Sequence, residues 1–539
     1  MQRCINVYLI LAVGALLLFS GCADDQLSAE NGYSDNSGAG DAEGDYEYAA
    51  VDYYSEEGAD DTANERYEPV GTNPFVVVAH DPFSTFAADV DTASYDIFRR
   101  DVNNGYLPDK DSVRLEEYVN YFAYDYPAPD ADAAHPFAIN LTAANNLLDR
   151  NTVLLRVGIQ AVEPPPFEKK PANLVFLIDV SGSMTSAEKL PLVKYLLTRT
   201  LDVLDAEDTV SIVTYAGATA VPLEPTPVSE RRTIEAVIDG LESGGSTAGA
   251  SGIERAYAQA EAGYIEGGIN HVLLCTDGDF NVGPSSDTDL VSLIEEKRET
   301  GITLTVLGFG TGNLNDSMME KVSNAGNGIY GVISSESHAD IYVEDRMLST
   351  LVHVAKDMKI QVEFNPDAVY AYRLLGYENR AINDDDFRDD AVDAGEIGAG
   401  HRVTALYELV LVGGEIPDIE NAPEIKDGEP VSGDREIAAA DLVLVKVRYK
   451  AVSAGEADPA VEVSTTLGPA AVVDSCLSLD TDFQWAVAIA AYAEILKESP
   501  YADLGILPIL EDIFTAETWT DKYREEFKTL FTKSLAWLA

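Results

Sequence analysis

The sequence predicts an α/β protein: a doubly wound, mostly parallel (Rossmann-like) sheet domain inserted in, or flanked by, a β-sandwich. A small α/β module precedes these, and a helical region closes the chain. Three observations carry the prediction. Leu174 to Ile178 is an unbroken apolar run that stops abruptly at Asp179, the pattern of a strand buried on both faces of a parallel sheet. Strand and helix periodicities then alternate from Asn173 to about Leu351, and repeated βα units of that size wind into a parallel sheet with helices on both faces. Strand-like segments without a strong helix lie on either side of that block, with Pro164-Pro165-Pro166 as a boundary.

The chain has 539 residues, 46% of them hydrophobic, enough for large cores and about three or four domains. Its net charge of −57 argues against nucleic acid as a partner and against docking on an anionic membrane through a basic patch, since both need a cationic surface. The acid excess continues through the folded part, so it reads as a property of the whole surface, for which adaptation to high salt is one candidate cause.

Taken in order, residues 1–22 read as a targeting segment. Arg3 precedes an apolar run from Ile5 to Phe19, short for a bilayer span and followed by Ser20-Gly21-Cys22. Small residues directly before a cysteine resemble the lipobox of bacterial lipoproteins, with Phe19 replacing the usual aliphatic residue. That resemblance implies a lipidated Cys22 and a lipid anchor in the cell envelope; an ordinary cleaved signal or an uncleaved anchor is the alternative. No later stretch has the length and apolarity of a spanning helix, so the chain after Cys22 is expected to be soluble. Beyond Cys22 only Cys275 and Cys476 remain. Cys275 reads as a small core residue, and nothing in the spacing demands a disulfide.

Residues 23–70 are acidic, Gly/Ser-rich and without apolar periodicity, so they are expected to be a disordered tether. Residues 71–135 suggest the small α/β module: a strand at Ser84 to Asp91, a helix through Tyr95, Phe98 and Val102 stopped by Gly105, and another carrying Val113, Tyr118, Val119 and Phe122. Asp89 and Asp91 fit a solvated strand face better than a ligand pair. Residues 136–170 and 352–475 supply the sandwich, with strands at 137–141, 153–162, 359–364, 368–375, 402–412 and 441–449. Asp384 to Asp386 and Asp389-Asp390 lack the spacing and closing Glu of an EF-hand, so a solvated acidic loop is expected. In residues 476–539, Phe483, Val487, Ala490, Ala491 and Ile495 follow helix spacing, as do Phe527, Leu530, Phe531 and Leu535.

The chemistry lies in residues 171–351. Asp179, Ser181 and Ser183 form D-x-S-x-S at the carboxyl end of the buried strand, where open α/β sheets place ligands. Such hard oxygens suit Mg²⁺, Mn²⁺ or Ca²⁺. Alone, the motif reads equally well as a Ser-rich turn capping the next helix. Two distant residues change the balance. Thr247 sits in the Gly-rich loop Gly244 to Gly249 before a helix, and Asp277 directly follows the strand ending at Cys275. The doubly wound topology brings both to the edge that carries Asp179.

Together these loops resemble the von Willebrand factor A (VWA) domain and its metal-ion-dependent adhesion site. The resemblance assigns Asp179, Ser181, Ser183, Thr247 and Asp277 to a divalent cation, with Mg²⁺ first among the choices. It implies a coordination position left open for an Asp or Glu of a partner protein; Asp279 stays outer-shell or structural. The block Ser84 to Tyr95, T-D-G-D-F-N-V-G from Thr276, and the stretch from Gly376 to Gly400 further resemble YfbK-type VWA lipoproteins of bacteria, over nearly everything after the tether.

The reading is therefore a metal-dependent protein-binding module of adhesion or scaffold type. Its alternative is a metal-assisted hydrolase or other enzyme on the same site. Catalysis needs a positioned base or nucleophile, yet none of the six histidines neighbours the three loops in sequence, though His271 and His338 can approach in space. The serines lack the G-x-S-x-G elbow. Gly308 to Asn313 resembles a nucleotide fingerprint but ends in Asn313 and comes late in the domain, so a plain turn is expected and no nucleotide.

Overall fold

The computed structural model describes residues 64–88, 91–130, 133–147, 150–163, 170–245, 250–278, 287–392, 394–430, 435–455, 458–516, 519 and 521–538. The targeting segment with Cys22, most of the tether, Asp89, Pro164 to Pro166, Thr247 and Asp279 lie outside these residues.

Six strands make the central sheet: β1 (Ala172–Asp179), β2 (Thr209–Tyr215), β3 (Thr219–Pro227), β4 (Ile269–Thr276), β5 (Thr303–Phe309) and β6 (Tyr330–Ile333). Their spatial order is β6-β5-β4-β1-β2-β3, and all neighbours run parallel except β2 and β3. Every residue of β1 is buried because the alternating pleat sends its side chains into two cores. Leu174, Phe176 and Ile178 meet the helix Leu190–Val203 through Val193 and Leu197. Val175 and Leu177 meet Ile253 and Tyr257 of the helix Ala250–Ala262. The chain winds from β1 to β2 on one side and returns to β4 on the other, so the strand order reverses beside β1. A crevice opens at such a reversal, outside the carboxyl ends of the strands. Asp179 ends β1 and Asp277 follows β4, which puts both on its rim.

β3 was not expected. Three of its residues are proline (Pro222, Pro225 and Pro227), which breaks a strand pattern. Its place at the edge of the sheet, and the two register shifts in its pairing with β2, tolerate them.

The sandwich strands come from both sides of the central domain. One sheet runs Val76–Val77, Val369–Leu375, Arg402–Leu411, Val153–Ala161, Phe137–Asn145 and Val472–Val473. The other joins Gly395–Gly398, His353–Phe364, Val443–Ala451 and Val461–Leu467, with Phe83–Ala87 also paired to His353–Phe364. One core of Leu155, Val157, Ile360, Val362, Tyr407 and Val445 fills the space between them.

The expectations for residues 23–70 and 71–135 need correction. The segment 71–135 does not form a module with its own core. Its strands join the two sandwich sheets, and its helices Ala93–Asn104 and Leu115–Asn120 pack against Thr481–Leu496, Leu507–Phe514 and Lys522–Leu538. Two short helices cannot bury their aromatic faces alone; here Tyr95, Phe98 and Phe122 close on Trp485, Phe514 and Phe527. Order also begins before Val70. Glu65, its side chain 1% exposed, pairs with Arg100 at 2.8 Å, and Arg66 donates its amide to the Leu314 carbonyl.

Buried ion pairs join the parts. The Arg114 guanidinium meets Glu117 and, at 2.6 Å, Asp316. Arg380 meets Asp91 at 2.8 Å and Glu320 at 3.2 Å, so Asp91 is a structural anion rather than a solvated one. The acidic loop is likewise tied down: Asp390 accepts from Arg448 at 2.8 Å and Asp384 from the Thr85 hydroxyl at 2.5 Å. Cys275 and Cys476 are both free and buried. Among the described residues no helix is long and apolar enough to cross a membrane.

Candidate metal centre

Asp179 ends its strand with a fully buried carboxylate. One oxygen accepts from the Ser181 amide at 2.8 Å, and the other from the Thr276 hydroxyl at 3.3 Å. A side-chain oxygen bonding the amide two residues on is an Asx-type turn, and it bends the chain so that Ser181 and Ser183 line up. Their hydroxyl oxygens lie 2.9 Å apart. Two backbone bonds lash this loop to the Gly-rich one: Gly244 donates to the Val180 carbonyl at 2.7 Å and Gly182 to the Gly245 carbonyl at 3.1 Å. The lashing ends two residues before Thr247.

Asp277, 1% exposed, comes off β4 beside Asp179. Its Oδ2 accepts from Lys189 Nζ at 2.8 Å and from Asn313 Nδ2 at 3.4 Å. The next residue, Gly278, has φ +93, and a Cβ there would sit 2.6 Å from Leu314 Cα and 2.7 Å from the Asn315 amide. Backbone meets backbone at that point, so only glycine fits. The Gly308 to Asn313 turn thus has a use that its resemblance to a nucleotide fingerprint concealed: it walls the site beside Asp277.

Burial is the first cause pushing the Asp179 carboxyl up to about 6, with the Asp277 charge adding to it and the Ser181 hydrogen bonds opposing. A buried carboxylate whose partners are an amide and hydroxyls is unstable as an anion without a cation nearby. The donor set fits a hard divalent ion: two carboxylates, two serine hydroxyls, and a loop that leads to a threonine. Among the described residues no group of three or more His, Cys, Asp or Glu side chains is placed to hold a metal.

Four of the five residues singled out from the sequence are therefore at one rim, and Thr247 lies outside the described residues. The histidines are engaged elsewhere. His271 sits near the start of β4, opposite Asp277, with Nδ1 2.7 Å from the Thr303 hydroxyl, and burial pushes it down to about 3. His338 Nε2 lies 3.1 Å from Asp96. Sequence reasoning missed Lys189, Asn313 and Thr276. The first two approach Asp277 only through tertiary folding; Thr276, adjacent to Asp277 on a strand, was readable as a neighbour but not as a bond to Asp179.

Three family models match the chain: one described as von Willebrand factor over residues 61–156, one as von Willebrand factor type A domain over 173–347, and one as the C-terminal part of the uncharacterized protein YfbK over 349–536. The YfbK protein of Escherichia coli (strain K12) is 40% identical over 441 residues, which cover 81% of this chain and 75% of that protein. Among solved structures, a von Willebrand factor type A protein from Catenulispora acidiphila aligns with 69% of this chain and 81% of its own at 17% identity and a TM-score of 0.38. Proximal thread matrix protein 1 of the mussel byssus, solved with a zinc-occupied MIDAS motif, aligns with 35% of this chain and 46% of its own at 22% identity and a TM-score of 0.28. With the parallel sheet, its switch-point rim and this extended identity together, the chain belongs to the YfbK family of VWA-domain proteins.

Proposed function

We propose that this protein is a divalent-metal-dependent binding module of the bacterial cell envelope, held by a lipid anchor at Cys22. Its contact site is the adhesion-type metal site of Asp179, Ser181, Ser183, Thr247 and Asp277. The observation that carries the reading is the convergence of the Asp179 carboxylate, the two serine hydroxyls 2.9 Å apart and the Asp277 carboxylate at the switch point of the sheet. VWA domains mediate protein–protein interaction, and this chain has the donor set that such an interaction needs.

When bound, a divalent ion, Mg²⁺ before Mn²⁺ or Ca²⁺, supplies an electrophilic centre for an oxygen ligand from outside. The chain's residues set what that centre can do. Neutral hydroxyls from Ser181, Ser183 and Thr247 would hold the ion without adding negative charge, so its own charge would stay partly uncompensated. An Asp or Glu of a partner protein would be the fitting outside ligand for such a site. The net charge of −57 repels acidic partners over the rest of the surface, so the metal rim is where such a residue can dock, which favours specificity over sheer affinity. An enzymatic use of the site is disfavoured by the engagement of His271 and His338 with other partners.

Calorimetric titration of Mg²⁺, Mn²⁺ and Ca²⁺ tests the reading. Heat is expected with the wild-type protein and not with Asp179→Ala or Thr247→Ala; equal heats from all three refute the assignment. Capture of an envelope partner that EDTA reverses supports the binding role. Turnover of an ester or phosphate substrate without capture supports the enzymatic alternative. A Cys22→Ala protein is expected to leave the membrane fraction.

A further inference from the structure

We infer that Lys189 is a built-in counter-cation of the metal site: its ammonium holds Asp277 when the divalent ion is away and weakens the ion's binding when it is present. The inference deepens the proposed function and rests on that site being a metal site.

The Lys189–Asp277 contact is 2.8 Å long, and the two side chains are 9% and 0% exposed. At that burial neither solvent nor salt screens the pair effectively. Asn313 Nδ2 approaches the same Asp277 oxygen at 3.4 Å, so this oxygen is committed inward. The position is built rather than incidental. Lys189 precedes the helix Leu190–Val203, its amide bonded to the Ser186 carbonyl and its carbonyl to the Val193 amide. Its methylene stem lies on Gly310, where φ is +75 and a Cβ would stand 2.6 Å from both Cγ and Cε. Arg100 Nη1 in turn holds the Gly310 carbonyl at 3.2 Å. A side chain at position 310 would collide with the lysine stem.

Charge makes the consequence specific. Asp179 and Asp277 bring two negative charges to the rim, and Lys189 offsets one of them. A divalent ion held by this set keeps more of its positive charge than two bare carboxylates would leave it. It binds less tightly, and an acidic ligand from a partner gains more by completing the shell. A lysine serving only to brace Asp277 has the opposite signature: its loss would loosen the aspartate and weaken the metal.

The test compares the full-length wild type with Lys189→Met, which removes the charge, and Lys189→Gln, which keeps a hydrogen-bond donor. Mg²⁺ and Mn²⁺ are titrated by calorimetry, and thermal unfolding is followed in EDTA and in saturating Mg²⁺. The expected results are a Kd about tenfold lower in the variants and a lower Tm in EDTA that recovers in Mg²⁺. Metal heat from the variants with none from the wild type supports the inference further. Unchanged or weaker metal binding in a folded variant overturns it and leaves the metal site standing. Failure of both variants to fold even in saturating Mg²⁺ also overturns it, because a counter-cation is dispensable once the ion is bound. Absence of metal heat from all three proteins overturns the metal site itself, and this inference with it.

Discussion

His271 shows what burial does to a single titratable group in this chain. The ring lies in the core of the central domain; burial first, and the neighbouring His353 second, push it down to about 3. Between that value and the ordinary histidine value near 6.5, the unfolded chain binds a proton that the native ring refuses. Stability contributed by His271 therefore rises with pH across this window and is lost as the solution is acidified. Asp101 and Asp384 are pushed up to about 6 by burial and act with the opposite sign, so a whole-protein pH profile mixes the two. The difference between wild type and His271→Gln removes the carboxylates from the comparison. Wild type is expected to lose at least about 1 kcal/mol more than the variant between pH 7 and pH 4.5, read by urea unfolding at both. A second residue speaks to conformation. Gly310, with φ +75 and the Lys189 stem against it, has neither the backbone freedom nor the room for a methyl group. Gly310→Ala is expected to cost about 1–3 kcal/mol in the same assay.

At the level of elements, legibility followed burial and locality. β1 was readable because both of its faces are buried, so its apolar run is continuous and its end at Asp179 is sharp. The helices carrying Phe483 and Phe527 were readable because one apolar face repeats at helical spacing. β3 was not, since an edge strand can carry three prolines without losing its ladder. Val461–Leu467 was missed for a related reason: it is an edge strand with no fully buried residue, so its apolar signal is weak. Within the site, the residues on the three loops were legible as a pattern, while Lys189 was not, because a lysine ten positions after Asp179 looks like any helix-start residue. The partnership of the first and last helices was also invisible, since apolar spacing says that a face is buried and not against what. That partnership predicts a linked response. Phe527 is fully buried among Phe98, Phe122, Trp485, Tyr492 and Phe514, so Phe527→Ala is expected to cost about 3–5 kcal/mol. Hydrogen exchange should quicken in Ala93–Asn104 as much as in Thr481–Leu496; protection lost only in the C-terminal helices would mean that the two sets do not share a core.

For the whole molecule, the helix Ala93–Asn104 decides whether the parts can melt separately. Ala93 and Ile97 belong to the core on one face of the central sheet, with Val175, Leu177 and Val213. Tyr95, Phe98 and Val102 belong to the aromatic core with Trp485 and Phe527. One rigid rod thus serves two cores, and neither can open without exposing the other. The buried pairs point the same way, because Arg114 joins the N-terminal helices to the VWA domain through Asp316 and Arg380 joins the sandwich to it through Glu320. Breaking the Arg114–Asp316 pair, whose side chains are both 2% exposed, would leave a charge in the interior short of its partner, which typically costs about 3–5 kcal/mol. Scanning calorimetry of the intact protein is accordingly expected to show one cooperative transition rather than separate melts for VWA domain, sandwich and helices. The fragment 171–351 alone, which leaves the face under Ile97 bare, is expected to melt at a lower temperature or to aggregate. If that fragment instead unfolds reversibly at the temperature of the full chain, the helix is a passenger and the central domain stands on its own.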